Sequence, residues 1–295
     1  MNSIKHITLL LLFLLGGTVA ATAKPRGEES GVKIDTIRYA APGGYPLHLY
    51  LIRPAEVREK LPVIVYVPGS AWKKQRMAGS LKVMTPMARR GYAVACVEYR
   101  PCSVALFPAQ VEDAKTATRF LWKNAGKYKL DSRNLFAWGS SSGGHTVLLQ
   151  AFTQESFLLD PEPGAKQSCK VNAVIDYYGP SELVHEFRIT EGKQENPDDN
   201  GGLLLGNPVN EKRDVALKAS PLYYVNPYVV PVFVVQGEAD KVVPPEQSRW
   251  LVARMQECGA RVESLFLPEQ GHGGKAFWTA ELYDRCDAFL QSCRR

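Results

Sequence analysis

Residues 134–146 write a strained turn between two regular elements. The stretch Asn134-Leu-Phe-Ala-Trp-Gly-Ser-Ser-Ser-Gly-Gly-His-Thr146 contains Gly139-Ser140-Ser141-Ser142-Gly143, a G-x-S-x-G pattern centred on Ser141. The apolar run Leu135 to Trp138 predicts a strand leading in, and Thr146 to Gln150 predicts a helix leading out. That is the strand–turn–helix setting in which a serine hydroxyl is lifted above a sheet. Such a turn brings neighbouring backbone so close that a Cβ at either flanking position would clash, which explains the glycines. A short pattern of common residues is weak on its own, so its partners must be found elsewhere in the chain.

They follow in order. Tyr228 to Gly237 reads as a buried strand, and the loop Glu238-Ala-Asp240-Lys-Val-Val-Pro-Pro245 after it carries a carboxylate. Arg261 to Leu267 reads as another strand, and Pro268-Glu-Gln-Gly-His272-Gly-Gly274 after it carries a histidine. Ser141, Asp240 and His272 each stand just past a predicted strand. In a parallel sheet those strand ends share one edge, so the three can meet in one crevice.

The rest of the chain supports such a sheet. Lys33 to Tyr39 and Leu47 to Ile52 alternate in polarity around the turn Pro42-Gly-Gly-Tyr-Pro46, predicting an antiparallel hairpin at a sheet edge. Leu61 to Val67 and Tyr92 to Glu98 are near-continuous apolar runs, as in strands covered on both faces. Helical spacing runs over Leu81–Arg90, Phe107–Trp122, Pro244–Gly259 and Ala276–Cys293, and Val171–Tyr178 is a further strand. The alternation predicts an α/β fold: a mostly parallel central sheet with an antiparallel N-terminal hairpin and helices on both faces. Periodicity fades between about 181 and 220, which reads either as a small cap insertion over the strand ends or as a surface excursion.

At 295 residues and 45% hydrophobic content, the chain is long enough for one well-buried domain over residues 24–295. Residues 1–23 form a basic start, a short apolar run from Ile7 to Leu15 and an Ala-x-Ala site ending at Ala23. This predicts a cleaved signal peptide and a secreted or periplasmic protein, because the apolar run is well short of the roughly 20 residues that span a bilayer. A net charge of +6 without a basic run argues against nucleic-acid binding. The six cysteines, Cys96, Cys102, Cys169, Cys258, Cys286 and Cys293, include no C-x-x-C pair, and no H-E-x-x-H occurs, so neither a metal nor a cofactor is called for. An oxidising compartment permits disulfides without fixing which cysteines pair.

The constellation implies acyl chemistry. A serine hydroxyl is a poor nucleophile unless a base within hydrogen-bond reach takes its proton. His272 supplies the base and Asp240 holds its imidazole. His6 lies in the signal, His48 on the edge hairpin and His145 inside the first turn after the nucleophile; His185 in the cap region is the one serious rival. Negative charge on the former carbonyl oxygen needs backbone N–H donors, expected at Ser70, Ala71 and Ser142. Trp72 and Trp278 flank the site loops, either to stack on a sugar ring or aromatic acyl group or simply to pack. Arg100 and Asp113 read as fold-stabilising, with support of the site from behind as the other possibility.

These motifs resemble the α/β-hydrolase superfamily. Within it, the chain from about Leu61 onward is similar to secreted esterases of the polysaccharide-degrading carboxylesterase type, related to hormone-sensitive-lipase-like enzymes, with acetyl and feruloyl esterase members. Val65-Tyr-Val-Pro-Gly-Ser-Ala-Trp72 stands where that family carries its Tyr-x-His-Gly-Gly-Gly-Trp-like oxyanion turn. Phe107 to Asp113 resembles its helix start, Gly139 to Gly144 its elbow, Gln236 to Pro244 its acid loop and Gly271-His272 its histidine loop. Pro68 and Ser70 replace the usual His and middle Gly, and Gln236 stands where His is common. The resemblance implies ester hydrolysis on a small-molecule or glycan ester. Two other readings stay open: a serine peptidase of the prolyl-oligopeptidase kind, and a non-catalytic binding module on the same fold.

Overall fold

The computed structural model describes residues 31–156, 158–162, 165–184 and 198–295. The expected signal peptide and His185 lie outside the described residues. The edge hairpin pairs β1 (Val32–Ala40) with β2 (Leu47–Pro54). The chain then alternates through β3 (Leu61–Val67), α1 (Met77–Arg89), β4 (Ala93–Val97), α2 (Ala109–Lys123), α3 (Ala125–Tyr128), β5 (Leu130–Ser140) and α4 (Ser142–Phe152). After β6 (Val174–Tyr177) come the short helices α5 (Asn200–Leu205) and α6 (Arg213–Lys218). The chain ends through β7 (Val232–Gly237), α7 (Pro245–Glu257), β8 (Val262–Leu267) and α8 (Ala280–Ser292).

Among the described residues the strands form one eight-stranded sheet in the order β1-β2-β4-β3-β5-β6-β7-β8. The β1–β2 and β2–β4 pairs are antiparallel and the remaining pairs parallel. This is the α/β-hydrolase fold that the sequence predicts.

Period-two alternation splits the core into two layers. Val63, Val65 and Val67 of β3 face the layer built with Ala117 of α2, Leu148 of α4 and Leu251 of α7. Ile64 and Tyr66 face the other, with Met84 of α1 and Leu290 of α8. The parallel register puts Val67 beside Gly139, Ser140 beside Tyr177, and Tyr177 beside Val235. The C-terminal ends of β3, β5, β6 and β7 are therefore level, and the loops that follow them open on one crevice.

Two elements differ from the sequence reading. The expected C-terminal helix is a 3₁₀ turn over Lys275–Trp278, then α8, whose Thr279 cap accepts from the Leu282 N–H. The strand expected from Tyr228 begins only at Val232, because Pro231 withholds an N–H from the ladder.

The described part of the 181–220 region carries its own apolar cluster: Leu204, Leu205, Val209, Ala216 and Ala219 pack on Leu183, Val184 and Trp72. Its helices have only six residues each, too short to show a helical period in the sequence. Among the described residues no helix is long and apolar enough to cross a membrane.

Candidate active site

Ser141 sits between β5 and α4 with φ +54° and ψ −127°, a region costing a non-glycine residue on the order of 1–3 kcal/mol. The surroundings hold it there. Its N–H donates to the Tyr177 carbonyl at 2.8 Å, and its carbonyl accepts the His145 N–H at 3.1 Å. A Cβ on Gly143 would lie 1.9 Å from the Val67 carbonyl oxygen, and one on Gly139 would lie 2.2 Å from the Gly143 carbonyl oxygen. The pattern in the sequence is thus a steric requirement of β3, β5 and α4 meeting at one point.

The structure brings together the three residues read from the sequence. Ser141 Oγ lies 2.8 Å from His272 Nε2, and His272 Nδ1 lies 2.7 Å from Asp240 Oδ2. The Asp240 side chain is fully buried, and donors surround it. Oδ1 accepts the N–H groups of Val242 and Val243 at 2.8 and 3.0 Å, and Oδ2 also accepts from Gln236 Nε2 at 3.2 Å. A carboxylate held by donors alone takes the proton of Nδ1 as one more, which leaves Nε2 bare to accept the Ser141 hydroxyl. Gln236 is itself fixed, since its Oε1 accepts from Ser248 Oγ at 2.8 Å. The residue that departs from the family pattern thus anchors the acid loop.

Tyr178, which sequence reasoning missed, forms a wall for the imidazole. Its φ is +45°, and its ring meets His272 edge to face with centroids 4.8 Å apart. Burial pushes the pKa of its hydroxyl up. The available signal was its position immediately after β6, at the same sheet edge as the other three.

The oxyanion turn is partly as expected. Ala71 and Trp72 both take left-handed backbone angles, φ +52° and +53°, directing the turn over Ser141. Among the described residues, the N–H groups of Ala71 and Ser142 have no protein acceptor. Ser70 is a correction: its N–H, expected to point at the site, donates to Ser142 Oγ at 2.9 Å. Gly69 N–H likewise donates to Ser140 Oγ at 3.2 Å, which also meets the Tyr66 hydroxyl at 3.1 Å. The two serines beside Ser141 therefore tie the turn to the elbow.

The tryptophans separate. Trp72 lines the crevice, but most of it is buried; its indole N–H donates to His145 Nδ1 at 3.2 Å. His145 Nε2–H in turn donates to the Ala219 carbonyl at 2.6 Å, and burial pushes the imidazole down to about 4, so it stays neutral and ties α4 to the segment just after α6. Trp278, expected to flank the site, does not line the crevice. It stacks on Trp138 at 6.2 Å and touches Tyr66, Tyr177 and Tyr283, which makes it a packing residue. His48 bonds Glu98 at 3.2 Å, and Arg100 pairs with buried Asp113 and with Glu112 behind the crevice.

The crevice itself has a volume of about 360 Å³ and is walled by Ala71, Trp72, Tyr178, Pro180, Asn200 and Val242. Asn200 belongs to the region after residue 181, so part of that region borders the site. The line of hydroxyl, imidazole and carboxylate at its floor is the arrangement that lets a serine attack a carbonyl at neutral pH.

The chain is similar to Esterase LipC of Mycobacterium tuberculosis, 28% identical over 214 residues that cover 72% of this chain and 53% of that protein. It spans about half the length of the curated relatives it matches. Two solved structures share its fold with TM-scores of 0.79. One is a truncated carbohydrate esterase from gut microbiota, 25% identical, covering 89% of this chain and 96% of that one. The other is a bifunctional GH43-CE protein of Bacteroides eggerthii, 28% identical, covering 88% of this chain and 38% of that one. The profile of the BD-FAE family matches residues 47–255, which include Ser141 and Asp240. The chain belongs to the BD-FAE family.

Proposed function

We propose that the protein is a secreted serine esterase that removes acyl groups, acetyl or feruloyl, from polysaccharide or oligosaccharide through an acyl-enzyme. The observation that carries this reading is the continuous line from Ser141 Oγ through His272 to Asp240, with contacts of 2.8 and 2.7 Å at the floor of an open crevice. Ser141 attacks the ester carbonyl while its proton passes to His272 Nε2, and Asp240 stabilises the imidazolium. The charged oxygen takes the N–H groups of Ala71 and Ser142, each such donor contributing on the order of 3 kcal/mol in the transition state. His272 then returns the proton to the departing sugar oxygen. Water, activated by the same imidazole, releases the acid and restores Ser141. No step needs a cofactor.

Similarity over nearly the whole length of a carbohydrate esterase supports a glycan alcohol, as does a crevice open enough for a side group on a long chain. Residues 1–23 are the export signal, and the mature chain is one domain over 24–295 with the insertion beside its crevice. Exported protein is then expected to begin at Lys24.

The test is incubation of acetylated and feruloylated xylan fragments with wild-type protein and with Ser141→Ala, read by mass spectrometry. Release of acid by wild-type alone is expected; equal release by both contradicts the reading. Cleavage of proline-containing peptides without ester turnover would favour a peptidase instead. Ligand binding without hydrolysis by either protein would favour a binding module.

A further inference from the structure

We propose that the Ser142 side-chain hydroxyl is an additional donor to the oxyanion site, carrying the polarity of the Ser70 N–H into it. The inference rests on the serine-esterase reading and follows from counting protons. Ser70 Oγ lies 2.5 Å from the Lys73 carbonyl oxygen, an atom that only accepts, so the Ser70 proton is committed there. Tyr99 Oη lies 2.8 Å from Ser70 Oγ and must therefore be the donor in that contact. The other places its single proton could go, Ser142 Oγ at 3.3 Å and the Pro68 carbonyl at 3.4 Å, are both longer.

Ser142 Oγ accepts the Ser70 N–H at 2.9 Å. Among the described residues the proton of Ser142 then has one protein acceptor on offer, Tyr99 Oη at 3.3 Å, which is long for an O–H···O bond. Ser142 is only 2% exposed yet lines the crevice. A buried hydroxyl proton so weakly held gains a strong partner when negative charge develops beside it. The N–H donated into Ser142 Oγ polarises its O–H and makes it the better donor. The Ser142 backbone N–H has no protein acceptor among the described residues, so one residue supplies two donors. The Ser70 N–H acts through that hydroxyl, not by direct contact.

The experiment compares wild-type, Ser142→Ala and Ser142→Thr on an activated acetyl ester, together with inhibition by a trifluoromethyl ketone whose adduct on Ser141 places an alkoxide in the hole. Ser142→Ala is expected to lower kcat roughly 100-fold with KM changed less than about twofold, and to weaken inhibition by about the same factor. Ser142→Thr, which keeps the hydroxyl, is expected to recover most of both. Wild-type turnover and inhibition in Ser142→Ala would overturn the proposal, because the freed Ser70 N–H would then suffice. If Ser142→Ala does not fold, Ser142→Cys keeps the shape with a weak donor and is expected to show the same loss; full activity there overturns it. Failure of the esterase reading looks different, since wild-type itself would then neither turn over ester nor form the ketone adduct.

Discussion

Asp240 does its work through one proton. With Nδ1–H of His272 donated to Asp240 Oδ2, the bare Nε2 faces Ser141. An amide at residue 240 offers a donor in place of an acceptor and favours the other tautomer, which cannot take the serine proton. Asp240→Asn is expected to lower kcat on the order of 10⁴-fold with little change in KM, measured by steady-state kinetics on an activated ester. A loss below tenfold would mean that the carboxylate is not orienting the imidazole. Trp278 makes the opposite case. Its ring is spent on Trp138, Tyr66, Tyr177 and Tyr283 and not on the crevice. Trp278→Ala should cost about 2–4 kcal/mol in urea unfolding and leave KM unchanged. A raised KM at unchanged stability would return it to the site.

The elements that matter are the turn after β3 and the elbow between β5 and α4, whose backbones lie in direct contact. A methyl group on residue 143 would meet the Val67 carbonyl oxygen at 1.9 Å and its carbon at 2.7 Å, both of them backbone. Gly143→Ala should therefore destabilise the chain by about 3 kcal/mol or more, or prevent folding, seen in thermal melting. Near-wild-type melting would show that β3 can move away. At this scale the sequence was most legible where periodicity is long. The sheet strands, α2 and α7 stand out by apolar spacing, and Ser141, Asp240 and His272 by following strands in order. Three features were not legible, each for a physical reason. Helices α5 and α6 are shorter than the pattern that reveals a helix. Trp278 borders a site loop in sequence but turns inward, a choice made by the aromatic neighbours it meets. Ser70 N–H is taken by Ser142 Oγ, a contact between residues 72 positions apart that no local pattern announces.

Across the whole molecule, one buried acid opposes the fold. Asp176, at the centre of the sheet below the elbow, has no exposure; Oδ1 accepts the Gly179 N–H at 3.1 Å, and Oδ2 has no partner among the described residues. Burial pushes its carboxyl up to about 8. Unfolded, the same group ionises near pH 4. Between about pH 4 and 8 the folded chain therefore binds the proton that the unfolded chain has released. The contribution of this group is most favourable below pH 4 and is lost as pH rises to about 8, by up to about 1.4 kcal/mol per pH unit. Asp176→Asn cannot ionise, so its stability relative to wild-type should grow from pH 5 to pH 8, measured as the difference in Tm. A pH-independent difference would mean that Asp176 is ionised in the folded protein. Activation of Ser141 is read most directly by peptide mapping by mass spectrometry after reaction with a fluorophosphonate, which labels a serine only where a base activates it. One adduct is expected on the intact protein, located on Ser141, absent in Ser141→Ala and formed far more slowly in His272→Ala. No adduct on Ser141, or labelling that proceeds equally without His272, would contradict it.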